Sequence, residues 1–212
     1  MKLPRFYPIL DTDVALRRGI DPVYAAQEIL DAGARILQFR HKGFLSREAF
    51  AWLEQIARIT RAASAVLVIN DRADLAMLIE AAALHLGQDD LPPTAARRVV
   101  GPDTTVGFST HNEAQLRAAC GEPVDYLALG PIFGTVTKEN PDPTVGLAEL
   151  RRLRTLSHLP LVAIGGITRK NAQQALDAGA DSVAVIGDLF PESGNIRARV
   201  EDWIRVTSPG GP

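Results

Sequence analysis

Cysteine is nearly absent from this sequence, because Cys120 is the only one among 212 residues. A single thiol cannot close an internal disulfide, and no other ligand lies near it at a metal-binding spacing. Disulfide-stapled and cysteine-rich zinc folds are therefore excluded. We expect Cys120 to be a small buried side chain, and we expect a cytoplasmic location, because one unpaired thiol suits a reducing compartment.

Long apolar runs and an excess of basic residues are also missing. No apolar run reaches the length of a membrane helix. Pro4 and Arg5 follow the basic start directly, and no continuous apolar segment comes after them, so we expect no export signal. The formal net charge is −2, with the lysines and arginines scattered along the chain. Because no broad positive field results, we expect neither a membrane nor a nucleic acid as partner.

Short apolar runs alternate with longer amphipathic segments, which is typical of βα units around a parallel sheet. We predict a single-domain α/β fold, a (β/α)8 TIM barrel over residues 1–206 with a flexible tail over 207–212. A doubly wound open sheet shows the same alternation, but polar residues collect where the predicted strands end, which favours the barrel. The eight predicted strands are Phe6 to Asp11, Ile36 to Lys42, Val66 to Asp71, Ala83 to Gln88, Thr105 to Thr110, Tyr126 to Phe133, Leu161 to Gly166 and Val183 to Asp188.

Helix signals fall between these runs. Asp21 precedes a proline and is predicted to cap a helix that stops at Gly33. Ser46 and Thr168 are predicted to cap two further helices.

Polar side chains occur at every second residue at the end of the second predicted strand. Gln38, Arg40 and Lys42 are spaced by two residues, so all three should point to the same side, at the barrel mouth. A guanidinium and an ammonium beside an amide suit a polyphosphate, because Arg offers paired donors and Lys a compact charge. The alternative is a strand end held by salt bridges.

Two carboxylates follow neighbouring strands. Asp71 ends the third predicted strand, and Asp90 follows the fourth. Mg²⁺ prefers oxygen ligands and often keeps waters while it bridges to phosphates, so two carboxylates could hold one ion. Alternatively, Asp71 could cap the next helix, and Asp89 and Asp90 could form a turn.

Ser109 lies at the end of the fifth predicted strand, and His111 directly follows that strand. Ser109 could hydrogen-bond a heterocycle, and His111 could carry a proton or cap a helix. No acidic residue is adjacent to His111, so a Ser-His-Asp hydrolase is disfavoured. His85 lies between two leucines and is predicted to be an interior histidine, whereas His41 and His158 are predicted on the surface.

A long polar loop over 134–146 follows the sixth predicted strand. Long loops in compact domains are often functional. Thr135, Thr137 and Lys138 offer two hydroxyls and a cation, and the glycines at either end of the loop could act as hinges of a lid. A surface loop without function is the alternative.

Glycine turns follow the last two predicted strands. Gly165 and Gly166 end the seventh, and Ile186 and Gly187 lie at the end of the eighth. Barrels commonly bind phosphate here through backbone N–H groups. We therefore predict a phosphate site, with tight turns lacking any ligand as the alternative.

The order and spacing of these segments closely resemble the thiamine-phosphate synthase family over almost the whole chain. The segments that carry the resemblance are Gln38 to Lys42, Ile69 to Arg72, His85 to Pro92, Ser109 to His111, Gly130 to Lys138 and Ala163 to Ile167.

The resemblance implies a transferase that condenses 4-amino-2-methyl-5-hydroxymethylpyrimidine diphosphate with hydroxyethylthiazole phosphate, plain or carboxylated. Pyrophosphate leaves first, and the thiazole nitrogen captures the pyrimidine-stabilised cation, so no protein nucleophile is needed. The implied ligands of one Mg²⁺ are Asp71 and Asp90. The implied catalytic residues are Arg40, Lys42, Ser109 and Lys138. The implied substrate-binding residues are Gln38, Phe39, Arg40, His41, Lys42, Asn70, Ser109, Thr135, Val136, Thr137, Lys138, Gly166, Ile186 and Gly187.

The chain departs from the family pattern at two positions. Gly187 stands where serine is usual, and Phe39 where leucine is common. Gly187 keeps its backbone N–H, so phosphate binding should weaken rather than disappear.

Two other functions stay open. A thiazole tautomerase paralogue would bind a similar thiazole phosphate, and His111 leaves room for it. A non-catalytic sensor of phosphorylated ligands would need only the phosphate turns.

Overall fold

Eight parallel strands close into a barrel in sequence order in the computed structural model, which describes residues 3–134, 142–191 and 194–210. The register pairs Phe6 of the first strand with Val183 of the last. This confirms the predicted TIM barrel and excludes the open sheet. The strands are β1 Phe6–Asp11, β2 Ile36–Arg40, β3 Val66–Asn70, β4 Ala83–Leu86, β5 Thr105–Thr110, β6 Tyr126–Leu129, β7 Leu161–Ala163 and β8 Ser182–Val185.

Helices surround the barrel, and among the described residues none is long and apolar enough to cross a membrane. A short 3₁₀ helix, Gly187–Leu189, follows β8. The α-helices are α1 Thr12–Arg17, α2 Pro22–Asp31, α3 Arg47–Ala62, α4 Ala73–Leu78, α5 Pro93–Val100, α6 Glu113–Ala119, α7 Gly146–Arg154, α8 Ala172–Asp177 and α9 Ile196–Thr207.

Most strands end earlier than their apolar runs suggest. Only β1 and β5 have the predicted bounds, whereas β2 stops at Arg40 and β6 stops at Leu129. The apolar residues beyond β6 pack in a loop, where Ile132 is fully buried. A buried loop and a buried strand therefore look alike in the sequence, and the loops at the C-terminal face are longer than predicted.

Side chains of alternating residues pack in two layers, as they must in a closed barrel. Tyr7 and Ile9 of β1 point into the barrel, and Phe6 and Leu10 pack under the helices. Trp203 of α9 stacks on Phe6 with 5.4 Å between ring centroids. The last helix thus covers the start of the first strand.

The helix caps agree with the sequence at two of three sites. Asp21 accepts from Tyr24 N at 2.8 Å, and Ser46 accepts from Ala49 N at 3.1 Å, so both predicted caps are confirmed. Thr168 was predicted wrongly, because α8 begins only after Asn171. The intervening residues form a turn in which Thr168 N donates to Asn171 Oδ1 at 2.7 Å.

Two expectations about surface and terminus need correction. Cys120 is exposed rather than buried, because it lies at the C-cap of α6. Thr207 was assigned to the tail, but it is the last residue of α9 and is buried. Its hydroxyl donates to Trp203 O at 2.8 Å, which holds it in the helix.

Gly107 of β5 allows the ring of Tyr126 to cross the barrel interior. A methyl group at position 107 would lie 2.0 Å from Tyr126 Cζ. We expect Gly107→Ala to lower the free energy of unfolding by about 1–3 kcal/mol through overpacking, as measured by urea denaturation. Gly121→Ala is the matched control, because its added methyl would meet only Ala118 O at 3.6 Å. Equal losses in the two variants would contradict this explanation.

Candidate active site

One cavity of about 460 Å³ lies where the strands end at the C-terminal face of the barrel. This is the face at which barrel enzymes place their active sites. The described residues that line it include Gln38, Arg40, Lys42, Asn70, Asp71, His85, Gln88, Asp89, Asp90, Ser109, His111, Asp142, Gly165 and Ile186.

The polar side chains around the end of β2 all line this cavity, as their spacing predicts. Lys42 lies in the loop after β2, because the strand ends at Arg40. An Nη of Arg40 donates to Asp11 Oδ2, and Lys42 Nζ lies 2.5 Å from Asp71 Oδ2. Salt bridges therefore hold this strand end, as the alternative predicts, and its polar side chains also line the cavity, as the main prediction states.

Asp11 anchors Arg40 and was missed in the sequence. Its side chain is 3% exposed. One carboxylate oxygen accepts from Val14 N at 2.9 Å, which caps α1, and the other accepts from Arg40. Its position at the end of β1, beside other polar strand ends, was the available signal.

The carboxyl groups of Asp71 and Asp90 lie close together in the cavity wall. Burial raises the pKa of Asp90, and a hydrogen bond with Asp71 raises it further. Asp71 does not cap α4, because the N-cap position is Arg72 and no side chain caps that helix. Asp90 Oδ2 accepts from Gly87 N at 2.6 Å, so the predicted turn forms as well.

Acidic side chains outnumber basic ones along the described part of the cavity wall, with four carboxylates and two cations. Adjacent carboxylates at a water-accessible cavity are ligands that suit Mg²⁺. Among the described residues, no cluster of three or more potential metal-ligating side chains occurs. Asp71 and Asp90 would suit one such ion if water and a bound ligand supplied its other oxygens.

Asn70 contributes a buried donor. Its Nδ2 has no hydrogen-bond partner within the described chain. An unpaired buried donor costs about 1–3 kcal/mol. Because Asn70 also lines the cavity, an acceptor on a bound ligand would remove this cost.

Ser109 pairs with His85 rather than with the histidine two residues later. Ser109 Oγ lies 2.9 Å from His85 Nε2, and His85 Nδ1 lies 2.9 Å from Tyr126 OH. His111 Nδ1 instead lies 2.6 Å from Gly130 O and 3.5 Å from Asp142 Oδ2. His85, which bonds Ser109, therefore bonds a tyrosine hydroxyl and not a carboxylate through its other ring nitrogen. The described residues form no Ser-His-Asp triad. The prediction of an interior His85 is confirmed.

Burial lowers the pKa of His85 from 6.5 to about 4. The folded protein therefore binds this proton less readily than the unfolded chain does. Below pH 6.5 and down to about 4, we expect the free energy of unfolding to fall by up to about 1.4 kcal/mol per pH unit from this group. Urea denaturation at several pH values should show that His85→Gln loses this part of the slope.

The exposed His158 provides the matched control for that measurement. His158→Gln should keep the wild-type slope, because it removes an imidazole outside the core. A slope that is unchanged in His85→Gln would contradict the assignment.

Phe39 and His41 do not reach the main cavity with their side chains. Phe39 is 2% exposed. His41 Nδ1 lies 2.7 Å from Thr12 Oγ1, and both rings line a small separate pocket. Binding of a substrate by these two residues stays a prediction.

Gly166 lies against the loop that follows β6. Its φ is +64°, and a side chain there would place Cβ 2.4 Å from Gly134 O. A residue with a side chain would therefore deform the turn before it crowded any ligand. Asn171 Nδ2 donates to Gly166 O at 2.9 Å, which holds the turn from the other side.

Of the remaining predicted phosphate-binding residues, the structure describes Ile186 and Gly187. Ile186 lines the cavity, and Gly187 begins the 3₁₀ helix. The backbone after Gly166 forms a turn before α8 begins, so α8 does not start directly at Gly165 and Gly166. Thr135, Val136, Thr137 and Lys138 lie outside the described residues.

Known proteins match the chain over nearly its full length. The family model described as thiamine monophosphate synthase matches residues 6–189. A thiamine-phosphate synthase of Koribacter versatilis is 46% identical over 211 residues, 97% of each chain. One from Dictyoglomus thermophilum is 38% identical, covering 90% of this chain and 83% of that protein.

A solved structure agrees with these sequence matches. Thiamine phosphate pyrophosphorylase from Pyrococcus furiosus superposes with a TM-score of 0.83 at 28% identity, covering 96% of this chain and 95% of its own. The family match, the curated relatives and the shared barrel agree, and the chain belongs to the thiamine monophosphate synthase family of transferases.

Proposed function

We propose that this protein couples the aminopyrimidine diphosphate to hydroxyethylthiazole phosphate and releases pyrophosphate and thiamine phosphate. The observation that carries this proposal is the meeting of two cations and a close carboxylate pair in one cavity wall. These are the groups needed to bind and release a diphosphate. The relatives named above support the same reaction.

The diphosphate lies, in this proposal, between the cations and the carboxylate pair. Arg40 and Lys42 donate to its oxygens, and the unpaired amide of Asn70 supplies a further donor. Asp11 holds Arg40 in place before the substrate arrives, which reduces the cost of ordering that side chain. A single Mg²⁺ held by Asp71 and Asp90 would add the positive charge that stabilises pyrophosphate as a leaving group.

The pyrimidine lies deeper, between Gln38 and Ser109, which both line the cavity. As pyrophosphate departs, positive charge builds on the pyrimidine methylene carbon, and the thiazole nitrogen bonds to that carbon. The chain needs no nucleophile for this sequence of steps. Its contribution is to orient both substrates and to neutralise charge on the leaving group.

The thiazole phosphate lies, in this proposal, at the turns after β7 and β8. Backbone N–H groups near Gly166, Ile186 and Gly187 would bind it, as in other barrels with phosphate sites. We assign Thr135, Val136 and Thr137 to the same phosphate and Lys138 to the diphosphate, on the family resemblance. Plain and carboxylated thiazole phosphates both suit these roles.

A two-substrate assay with and without Mg²⁺ tests the proposal. We expect pyrophosphate and thiamine phosphate in equal amounts, only when both substrates and the ion are present. Rearrangement of the thiazole phosphate without pyrophosphate release would establish the tautomerase instead, for which His111 beside Asp142 would be the proton carrier. Binding of both substrates without product would establish a sensor.

We also propose a cytoplasmic location, with the two small-molecule substrates as partners. The lone cysteine supports the first, because it forms no internal disulfide. Detection of the protein by fractionation outside the cytoplasm would contradict it.

A further inference from the structure

A chain of hydrogen bonds crosses the barrel interior beneath the cavity. It joins Gln38 on β2 to Ser109 on β5 through three buried side chains, Tyr7, Tyr126 and His85. The donor–acceptor distances along it are 3.0, 2.9, 2.9 and 2.9 Å. Both end residues and His85 line the cavity, whereas the two tyrosines are buried and do not line it.

The direction of every bond in this chain follows from its first one. Gln38 Nε2 can only donate, so the Tyr7 hydroxyl oxygen accepts from it. Burial raises the pKa of both Tyr7 and Tyr126, so each phenol keeps one proton to donate. The Tyr7 proton goes to Tyr126, which is its other partner.

The same reasoning carries the direction through the histidine. Tyr126, having accepted from Tyr7, donates to His85 Nδ1. The neutral ring then carries its proton on Nε2 and donates it to Ser109 Oγ. The hydroxyl proton of Ser109 is left for an acceptor in the cavity.

Rotating the Gln38 amide would reverse all four bonds together. Ser109 would then donate into the chain and offer only lone pairs to the cavity, while Gln38 would offer an N–H. The two ends are therefore coupled, so that one end donates to the cavity whenever the other accepts. The direction of these hydrogen bonds therefore determines which end can accept a hydrogen bond from a ligand.

We propose that Tyr7, Tyr126 and His85 are positioning residues that make Gln38 Oε1 the acceptor and Ser109 the donor for the substrate heterocycle. This rests on the proposed function, in which the substrate is a pyrimidine with an amino group beside a ring nitrogen. The amino group is a hydrogen-bond donor and the ring nitrogen is an acceptor, so this edge of the pyrimidine offers one of each. A 4-oxo pyrimidine in the same pose would present the reverse pattern, with a carbonyl facing Gln38 Oε1. The buried chain thus selects the amino over the oxo substrate.

Tyr126→Phe is the sharpest test, because it removes one hydroxyl from the middle of the chain and leaves the ring against Gly107. His85 then loses the donor that sets its tautomer, and Ser109 can turn either way. We expect the ratio of kcat/KM for the amino over the 4-oxo pyrimidine diphosphate to fall by about tenfold or more, since a fixed chain leaves buried polar groups unpaired against the wrong substrate and a free one does not. The KM for thiazole phosphate should change little. Tyr24→Phe, on the exposed face of α2, should keep the wild-type ratio.

Nitrogen-15 NMR of the histidine rings tests the direction without any assay of activity. We expect wild-type His85, identified by its absence from His85→Gln, to carry the proton on Nε2, and Tyr126→Phe to show a mixture of tautomers. A proton on Nδ1 in the wild type, or an unchanged specificity ratio in a folded Tyr126→Phe, would overturn the proposal. If the wild type made no product, the proposed function would fail, while the NMR result would still decide the direction of the chain.

Discussion

Asp71→Asn is expected to lower turnover by about a hundredfold or more while the barrel stays folded. The carboxylate faces Asp90 across the proposed cation site, and asparagine keeps the size of the side chain but loses its charge. Asp71 has a φ of +64°, a region that asparagine adopts almost as readily as aspartate. The backbone should therefore tolerate the change.

Steady-state rates measured across a range of Mg²⁺ concentrations check this expectation. The variant should need more Mg²⁺ for half-maximal rate, and thermal unfolding should remain close to that of the wild type. Asp177→Asn is the matched control, because Asp177 lies exposed at the end of α8 and bonds only Gln173 at 2.7 Å among the described residues. A wild-type rate and Mg²⁺ dependence in Asp71→Asn would remove Asp71 from the proposed metal site.

Arg40→Gln is expected to reduce both turnover and stability, for two separable reasons. Loss of the guanidinium removes a charge that faces the diphosphate, which we expect to cost about a hundredfold in turnover. It also leaves the carboxylate of Asp11 buried without its ionic partner, which typically costs about 3–5 kcal/mol. Turnover and urea denaturation measure the two effects.

The double variant Asp11→Asn with Arg40→Gln separates these effects. An asparagine at position 11 can still accept from Val14 N and cap α1, and no buried charge then remains. Stability should recover while turnover stays low. Arg35→Gln, at an exposed arginine near the other end of β2, should change neither quantity. Recovery of turnover in the double variant would show that Arg40 acts only through folding.

The barrel was predictable because most strands are covered on both faces and read as nearly unbroken apolar runs, and because polar residues collect where the strands end. The same apolar character made the ends of the strands difficult to locate in the sequence. Ile132 is as apolar and buried as the residues of β6, yet it lies in a loop. Cys120 was misplaced for a similar reason, since residue type indicates burial only when the local geometry allows it, and a helix end can expose any side chain.

The candidate site was predictable where one strand end carried several polar residues, as β2 does with Gln38 and Arg40. Contacts between distant strands were not predictable. Asp11 looked like the last residue of an apolar strand, and its bond to Arg40 depends on the register of β1 against β2. Tyr7 and Tyr126 looked like ordinary core residues, because a tyrosine hydroxyl with a buried partner leaves no pattern along the chain.

The pairing of Phe6 with Val183 has a consequence for the order of folding. It joins strands at opposite ends of the sequence, and the entropy of closing so long a loop must be overcome before that pairing forms. The hydrogen-bond chain from Gln38 to Ser109 has the same dependence, since it passes through Tyr7 on β1 before it reaches His85 and Ser109 across the barrel. Partly folded chains therefore contain parts of the cavity wall but no complete site, and activity should appear only when the barrel closes.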